Sequence, residues 1–183
     1  MRLNPRGNLD LAVRKKPVVD NQLINNPFID ESAMSVVAEN LSKNGWSPMI
    51  AKNHNQKGFD LIASKGEKSF RVEVKGRSVL AYSGTINDSE RQRKDTQRFF
   101  NFSKAQYVTG DFFVCVFIAP SIKSCIVVPK RDFDKLVTSK VTPLRLAFAL
   151  DKNGKARKNR MWKNGRTEDM SKYIEGWHLF DEY

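Results

Sequence analysis

The sequence predicts an α/β fold in which a central mixed β-sheet is flanked by helices. Apolar residues fall on one helical stripe from about Asp30 to Asn44, which predicts a helix that packs on a sheet. Two segments of alternating apolar and polar residues, Phe59–Ser64 and Ser69–Lys75, predict a β-hairpin. The apolar run FFVCVFIA, within Asp111–Ala119, is typical of a central strand buried on both faces.

The other elements follow from shorter signals. Asp30 or Ser32 is suited to cap the first helix, and Gly45 lies just past its end. The remaining predictions are a strand at Trp46–Lys52, a helix capped by Ser103 that runs to Tyr107 with Lys104 and Gln106 on its exposed side, a strand at Cys125–Pro129, a short helix at Asp132–Thr138 and an apolar element at Val141–Leu150. The core order is therefore helix, three strands, helix and two strands (αβββαββ).

The segment that follows Gly76 allows two interpretations. One is a continued strand, an exposed loop over residues 85–96 and a returning strand at Phe99–Phe102. The other is a helix across residues 88–100. We favour the loop and strand.

The hairpin has a register that places two acids opposite each other. With the turn centred between Gly66 and Glu67, one face carries only apolar pairs and is expected to face the core. On the other face Asp60 lies opposite Glu73, with Arg71 and Lys75 flanking Glu73. Opposed side chains have Cβ atoms roughly 4.5 to 5.5 Å apart, and like charges there are destabilising. A positive group is therefore expected between the two acids.

Two kinds of positive group fit this position: a divalent cation, or a neighbouring Lys or Arg in an ion pair. A hard ion such as Mg²⁺ takes oxygen ligands, and Asp60, Glu73 and the backbone carbonyl of Val74 are suitable. Lys75 would then be placed to orient or deprotonate a water, or to neutralise charge on a phosphate. The alternative without chemistry is a solvated sheet face of mixed charge.

Gly58-Phe59-Asp60, a short hairpin and then Val72-Glu73-Val74-Lys75 resemble the signature of the PD-(D/E)XK nuclease superfamily. The superfamily includes restriction enzymes, Holliday-junction resolvases and a group of intron-encoded homing endonucleases. The resemblance covers about residues 30–129 and implies a restriction-endonuclease-like core. It implies that Asp60 and Glu73 bind metal, Mg²⁺ with Mn²⁺ as a substitute, and that Lys75 assists phosphodiester hydrolysis. Phe59 replaces the frequent Pro of the family.

The chain departs from the family pattern on the first helix. Members usually carry an acid there, about a dozen residues before the aromatic residue that opens the next strand. Counting back from Trp46 leads to Met34, which cannot bind metal. Glu31 lies one turn earlier on a neighbouring helix face and is the predicted substitute. A helix-start acid favoured by the macrodipole is the alternative role for Glu31.

Composition points to a polyanionic partner. The 183 residues carry a formal net charge of +12, which favours nucleic acid. We predict a basic N-terminal arm over residues 1–28 and a single nuclease-like domain over residues 29–183 with a basic loop at 151–166. Backbone contacts to DNA are predicted for the basic residues around the hairpin and in this loop, with Trp162 stacking on a base. They are Arg77, Arg91, Arg93, Lys94, Arg98, Lys155, Arg157, Lys158, Arg160, Trp162 and Lys163.

The predicted function is Mg²⁺-dependent endonucleolytic cleavage of DNA, by a homodimer or higher homo-oligomer as the family resemblance implies. An endonuclease is favoured over an exonuclease because nothing suggests a threading ring or a motor domain. Two alternatives remain: a DNA-binding module that keeps the fold without cleavage, and a basic structural protein of a nucleoprotein assembly. No signal or membrane-spanning run is visible. We therefore expect a cytoplasmic protein, nucleoid-associated if cellular, that is not secreted and has no membrane partner.

Overall fold

The structure, a computed structural model, describes residues 27–51, 58–78, 97–119, 122–139, 141–150, 155–161 and 167–183. Its helices are α1 (Pro27–Lys43), α2 (Lys104–Thr109), α3 (Lys130–Leu136) and α4 (Leu179–Glu182). Its strands are β1 (Ser47–Ile50), β2 (Leu61–Lys65), β3 (Lys68–Ser78), β4 (Gln97–Phe102), β5 (Phe112–Ala119), β6 (Ile122–Pro129), β7 (Val137–Ser139), β8 (Leu144–Ala149), β9 (Asn159–Met161) and β10 (Thr167–Asp169).

Helix α1 forms where the apolar stripe predicts it. Ala33, Val37 and Leu41 are fully buried along that stripe. The helix begins at Pro27, inside the predicted arm, because proline needs no N–H partner in a first turn. It ends at Lys43, and the positive φ of 77° at Gly45, two residues later, lets the Trp46 N–H return to the carbonyl of Leu41 at 3.0 Å.

The β2–β3 hairpin has the predicted register. Leu61 lies opposite Val72 and Ala63 opposite Phe70, and these apolar pairs face the core. A two-residue turn joins the strands, and its first residue, Gly66, has a φ of 60° that glycine adopts without strain. Strand β3 continues past the predicted end at Lys75 to Ser78, so it extends beyond its partner β2.

The central sheet is mixed and has the order β1-β2-β3-β5-β6. Strands β3 and β5 are parallel, and the other neighbours are antiparallel. The predicted αβββαββ order is confirmed by α1, β1 to β3, α2, β5 and β6. Helix α2 also has the predicted cap, because the Ser103 hydroxyl accepts from the Gln106 N–H.

A second, three-stranded sheet of order β4-β8-β7 was not predicted. The strand predicted at Phe99–Phe102 exists as β4, and the alternative of a helix is wrong for residues 97–100. The predicted helix at Asp132–Thr138 is α3 followed by β7, and the apolar element at Val141–Leu150 contains β8. The second sheet forms because Phe100 and Phe102 pack on Phe117 and Phe113 of β5, with ring centroids 5.2 and 5.3 Å apart.

The two faces of the central sheet are covered differently. On the face of Val72 and Val74, α1 and the C-terminal segment pack, and Phe180 stacks on Phe112 with centroids 3.9 Å apart. On the face of Glu73 and Lys75, the second sheet, α2 and α3 pack. Glu73 is therefore 1% exposed although its side chain is ionisable.

The predicted basic loop at 151–166 is partly a β-hairpin. Strand β9 pairs antiparallel with β10, so Asn159–Met161 lie in a strand and not in a loop. A bridge between Leu150 and Ala156 joins this hairpin to β8. Residues 151–154 and 162–166 of the predicted loop, and residues 1–26 of the predicted arm, lie outside the described residues.

Gly76 permits the close approach of α1 to β3. A Cβ atom at this position would lie 2.8 Å from both Cγ2 and the carbonyl oxygen of Ile29, and 3.1 Å from Cβ of Ala33. We expect Gly76→Ala to lower the free energy of unfolding by about 2 kcal/mol, because the helix must move away from the strand. Urea unfolding measures this change, and a variant as stable as the wild type would show that α1 adjusts without cost.

Candidate active site

Asp60 lies at the edge of β3 where the pairing with β2 ends. Its Oδ2 accepts a hydrogen bond of 2.8 Å from the Val74 N–H. The Asp60 N–H donates to the Val72 carbonyl at 2.9 Å, so alternate backbone groups of β3 point towards Asp60. The Val74 carbonyl points to this same side of the strand as its N–H does. Asp60 and the Val74 carbonyl, two of the three predicted metal ligands, are therefore adjacent.

Glu73 is buried and held by two donors. Its Oε1 accepts from Nζ of Lys75 at 2.8 Å and from Nε2 of Gln106. Of the two predicted kinds of positive group, an ion-pairing Lys is present at Glu73. A divalent cation at Asp60 and Glu73 stays a prediction. Both described contacts of Glu73 are made by Oε1, which leaves Oε2 for another partner.

The three predicted catalytic groups of the hairpin, Asp60, Glu73 and Lys75, have perturbed pKa values. Burial, together with the charges of Asp60 and Asp30, raises the pKa of Glu73 to about 7 against the opposing effect of Lys75. Burial also raises the pKa of Asp60, although the Val74 N–H and Lys75 oppose it. For Lys75, burial lowers the pKa, but the negative charges of Glu73, Asp60 and Asp30 outweigh burial and raise it overall. These shifts indicate negative charge concentrated in a poorly solvated place.

The helix acid beside this site is Asp30, whereas Glu31 was predicted. Asp30 Oδ1 accepts a hydrogen bond of 3.2 Å from the Gly76 N–H. Gly76 lies two residues beyond Val74 on β3, and the Val74 N–H donates to Asp60. Glu31 is exposed, and its described hydrogen bond is only that of its backbone carbonyl with the Ser35 hydroxyl. Counting residues back from Trp46 missed Asp30 because the rotation of α1 depends on its contact with Gly76. The glycine at position 76 was the sequence signal that could have indicated this contact with α1.

Gln106 is a second residue that sequence reasoning missed. It was predicted on the exposed side of α2, but its amide faces inwards: Oε1 accepts from the Ser103 N–H at 2.8 Å while Nε2 donates to Glu73. The spacing Ser103-x-x-Gln106 is that of a capping box, in which the third residue turns back to the cap. One amide thus completes the helix cap and holds the buried carboxylate.

Helix α2 also contacts the approach to Asp60. The Thr109 hydroxyl donates to the carbonyl of Gly58, two residues before Asp60. Gly58 has a φ of 123°, and a Cβ there would lie 2.0 Å from Oγ1 of Thr109. A glycine is therefore required at this contact. Through Gln106 and Thr109, α2 sets the position of Glu73 relative to Asp60.

We expect Gln106→Ala and Gln106→Glu to separate capping from positioning. Glutamate retains the capping box but brings a third negative charge to Glu73, whereas alanine removes both functions. Gln106→Glu should keep the wild-type melting temperature in Mg²⁺ within about 3 °C, while the Mg²⁺ concentration that half-saturates its thermal stabilisation changes by about tenfold. An unchanged Mg²⁺ dependence in both variants would show that Gln106 acts only in the cap.

The predicted DNA-contact residues are described only in part. Arg77 donates from Nε to the Phe99 carbonyl at 3.2 Å, and Lys155, Arg157 and Lys158 are exposed on the segment that leads into β9. Arg98 lies in β4 and Arg160 in β9, where only the backbone is described. The others lie outside the described residues: Arg91, Arg93, Lys94, Trp162 and Lys163.

The donor set fits a hard divalent cation in part. Among the described residues, no three His, Cys, Asp or Glu side chains are grouped closely enough to hold a metal ion. Asp60 lies at the edge of β3 beside Val74, and Glu73 is the preceding residue of that strand. Mg²⁺ sites commonly use one or two carboxylates with water and phosphate. Burial raises the pKa values of Asp60 and Glu73, and a bound cation would stabilise the ionised form of both carboxylates.

Comparison with solved structures supports the fold. The bacterial homing endonuclease I-Ssp6803I superposes with a TM-score of 0.50 and 15% sequence identity, over 86% of this chain and 94% of that chain. The Holliday junction resolvase Hjc of the archaeal hyperthermophile Archaeoglobus fulgidus superposes with a TM-score of 0.40 and 10% identity, over 64% of this chain and 82% of that one. No family model and no curated protein sequence matches the chain. The restriction-endonuclease-like fold that the sequence predicted is confirmed.

Proposed function

We propose that the protein is a divalent-metal-dependent endonuclease that hydrolyses phosphodiester bonds in DNA. The observation that carries the proposal is the contact of 2.8 Å between Lys75 Nζ and the buried Glu73, beside Asp60 at the edge of the same strand. A buried carboxylate that is paired with an amine, and a second carboxylate at the edge of the same strand, suit phosphoryl chemistry better than they suit a stable core. The net charge of +12 supports a polyanionic substrate.

Each residue has a role in this proposal. Asp60, Glu73 and the Val74 carbonyl would hold Mg²⁺ or Mn²⁺, which when bound supplies Lewis-acid polarisation of the phosphate. Lys75 would orient or deprotonate the attacking water, or offset charge on the phosphate.

We assign the assisting acid to Asp30 in place of Glu31. Asp30 is bonded to the Gly76 N–H, and its charge raises the pKa of both Asp60 and Glu73. The further parts of the proposal are those predicted from the sequence: DNA contacts by Arg77 and the basic residues around β9, a homodimer or higher homo-oligomer, and a cytoplasmic location near the nucleoid.

A substrate panel tests the proposed function. Supercoiled plasmid, linear duplex and a four-way junction are incubated with the protein in Mg²⁺, Mn²⁺ or EDTA. We expect cleavage in either metal and none in EDTA, with internal cuts that convert plasmid to nicked or linear products. DNA binding without cleavage in any metal would identify a non-catalytic module, and neither binding nor cleavage would identify a structural protein. Either result refutes the proposal.

Metal binding is also detectable without catalysis. The charge repulsion at Asp60 and Glu73 predicts that Mg²⁺ raises the melting temperature of the wild type, since a ligand that binds only the folded state stabilises it. The melting temperature of Asp60→Asn should rise less on addition of Mg²⁺.

No membrane partner is proposed. None of the described helices has the length and apolar character needed to cross a membrane.

A further inference from the structure

The outer face of the second sheet carries three exposed planar groups. Phe99 and Asn101 come from β4, and Arg145 comes from the neighbouring strand β8. Phe99 is 42% exposed, and Asn101 and Arg145 are exposed as well. We call these three residues the β4–β8 patch. The opposite face of the same sheet packs on the central sheet through Phe100 and Phe102, so the backbone beneath the patch is firmly held.

The guanidinium of Arg145 is held in one orientation. Its Cζ lies 5.2 Å from the centroid of the Phe99 ring, and its Nε donates to Oδ1 of Asn101 at 3.2 Å. Asn101 and Arg145 are directly opposed across the strand pair. The side-chain hydrogen bond that Arg145 makes with a described residue uses Nε and not its terminal Nη groups. An arginine fixed in this way loses little conformational entropy when it binds a pair of acceptors.

The patch is connected to the candidate active site. Arg77 lies two residues past Lys75 on β3, with its side chain on the same face of the strand. Its Nε donates to the backbone carbonyl of Phe99 at 3.2 Å. Two residues of a strand span roughly 7 Å, so Lys75 and Arg77 can contact neighbouring groups of one polyanion. A polyanion that reaches Lys75 can therefore continue across Arg77 towards Phe99 and Arg145.

We propose that the β4–β8 patch is a contact surface for duplex DNA, in which Arg145 donates its two Nη groups to a pair of adjacent acceptors while Phe99 and Asn101 hold it in place. The proposal rests on the proposed function and specifies where the substrate lies beyond the scissile bond. It assigns DNA contact to three residues outside the basic clusters predicted from the sequence.

The chemistry of the patch favours nucleic acid over an acidic protein. A planar guanidinium stacked on an aromatic ring, with an amide beside it, matches the flat acceptor groups of nucleic acids. The net charge of +12 is complementary to a polyanion. Adjacent acceptors occur in two places on duplex DNA: the N7 and O6 edge of guanine, and the oxygens of a phosphate. Base-edge contact makes Arg145 a specificity residue, whereas phosphate contact makes it a positioning residue.

Three variants test the proposal. Arg145→Ala removes the guanidinium, and Arg145→Lys keeps the charge without the planar fork. Arg131→Ala is the matched control, because Arg131 also lies 5.2 Å over an aromatic ring, that of Tyr183, but contacts the C-terminal residues instead of the second sheet. Binding to short duplexes is measured in EDTA at several salt concentrations, and melting temperatures confirm folding. Cleavage positions on plasmid in Mg²⁺ are mapped for each variant.

We expect Arg145→Ala to weaken duplex binding by about tenfold and Arg131→Ala by less than about twofold. If Arg145 contacts a phosphate, Arg145→Lys binds nearly as tightly as the wild type. In that case Arg145→Ala lowers the slope of log affinity against log salt concentration by about one. For a base-edge contact, Arg145→Lys behaves as Arg145→Ala, and the preference at one base pair is relaxed. Wild-type affinity of a folded Arg145→Ala variant, or equal losses in Arg145→Ala and Arg131→Ala, would overturn the proposal.

The proposed function and this inference fail in different ways. If the wild type binds duplex but cuts nothing in Mg²⁺ or Mn²⁺, the endonuclease proposal fails while the binding loss in Arg145→Ala still supports the patch. If the wild type cuts and Arg145→Ala binds and cuts in the same way, the endonuclease proposal stands and the patch is not a DNA contact.

Discussion

Lys75→Ala is expected to lower the rate of DNA cleavage by about 10³-fold while leaving DNA binding nearly unchanged. Among the described residues, Lys75 is the one positively charged side chain in contact with Glu73, at 2.8 Å. Removing it takes away the group that offsets charge on the phosphate and leaves Glu73 buried without its ion pair. Single-turnover cleavage, measured beside equilibrium binding in EDTA, separates the chemical step from affinity.

Lys68→Ala is the control for Lys75→Ala. It removes the same charge from the same strand, but Lys68 is exposed at the turn and donates to the carbonyl of Asp181 at 3.1 Å. We expect its cleavage rate to remain within about twofold of the wild type. A Lys75→Ala variant that is folded and retains more than about a tenth of the wild-type rate would show that the amine does not act in the reaction.

The stability of the metal-free protein is expected to fall as the pH rises from about 4.5 to about 7. The pKa of Glu73 rises from 4.5 to about 7 on folding, chiefly through burial. In this interval the folded state binds more protons than the unfolded state, so raising the pH favours unfolding. The stabilisation that proton binding provides is complete below 4.5 and is lost as the pH passes 7. At about 1.4 kcal/mol per pKa unit, the loss is on the order of 3 kcal/mol.

Urea unfolding in EDTA at pH 5 and pH 8 measures this loss, with Glu73→Gln as the reference. The raised pKa of Asp60 acts in the same direction, whereas the lowered pKa of Asp132 acts only below about 4. The wild type should lose more stability between these pH values than the variant, and Mg²⁺ should restore part of it at pH 8. If the wild type and Glu73→Gln lose the same free energy of unfolding between pH 5 and pH 8, the Glu73 carboxylate is adequately solvated or neutralised in the folded protein.

The parts of the fold that could be predicted depend on short-range patterns. The register of the β2–β3 hairpin follows from alternation about a two-residue turn at Gly66, and extending this register predicts Asp60 opposite Glu73, with Lys75 beside Glu73 on the same face. The buried strand β5 was evident because eight apolar residues in succession leave no polar face. The pairing of β4 with β8 could not be predicted, since Asn101 and Arg145 are far apart in the chain and no turn joins their strands.

The missed site residues depend on how separate elements pack. Asp30 reaches Gly76 because α1 rests on that glycine, and a stripe of apolar residues defines the buried helix face only to within about one residue. Gln106 reaches Glu73 because α2 is fixed at both ends, by its capping box and by the bond of Thr109 with Gly58. The capping pattern was visible in the sequence, but Glu73 as the partner of the Gln106 amide nitrogen was not.

The most direct test of the account is the position of a bound metal. Crystals of the Lys75→Ala variant with duplex DNA and Mn²⁺ would reveal the ion by its anomalous scattering. The account predicts one peak within coordination distance of Asp60, Glu73 and the Val74 carbonyl, roughly 2.0 to 2.2 Å from their oxygens, beside a DNA phosphate. A DNA complex with no ion at this edge of β3, or with an ion held by other residues, would contradict it.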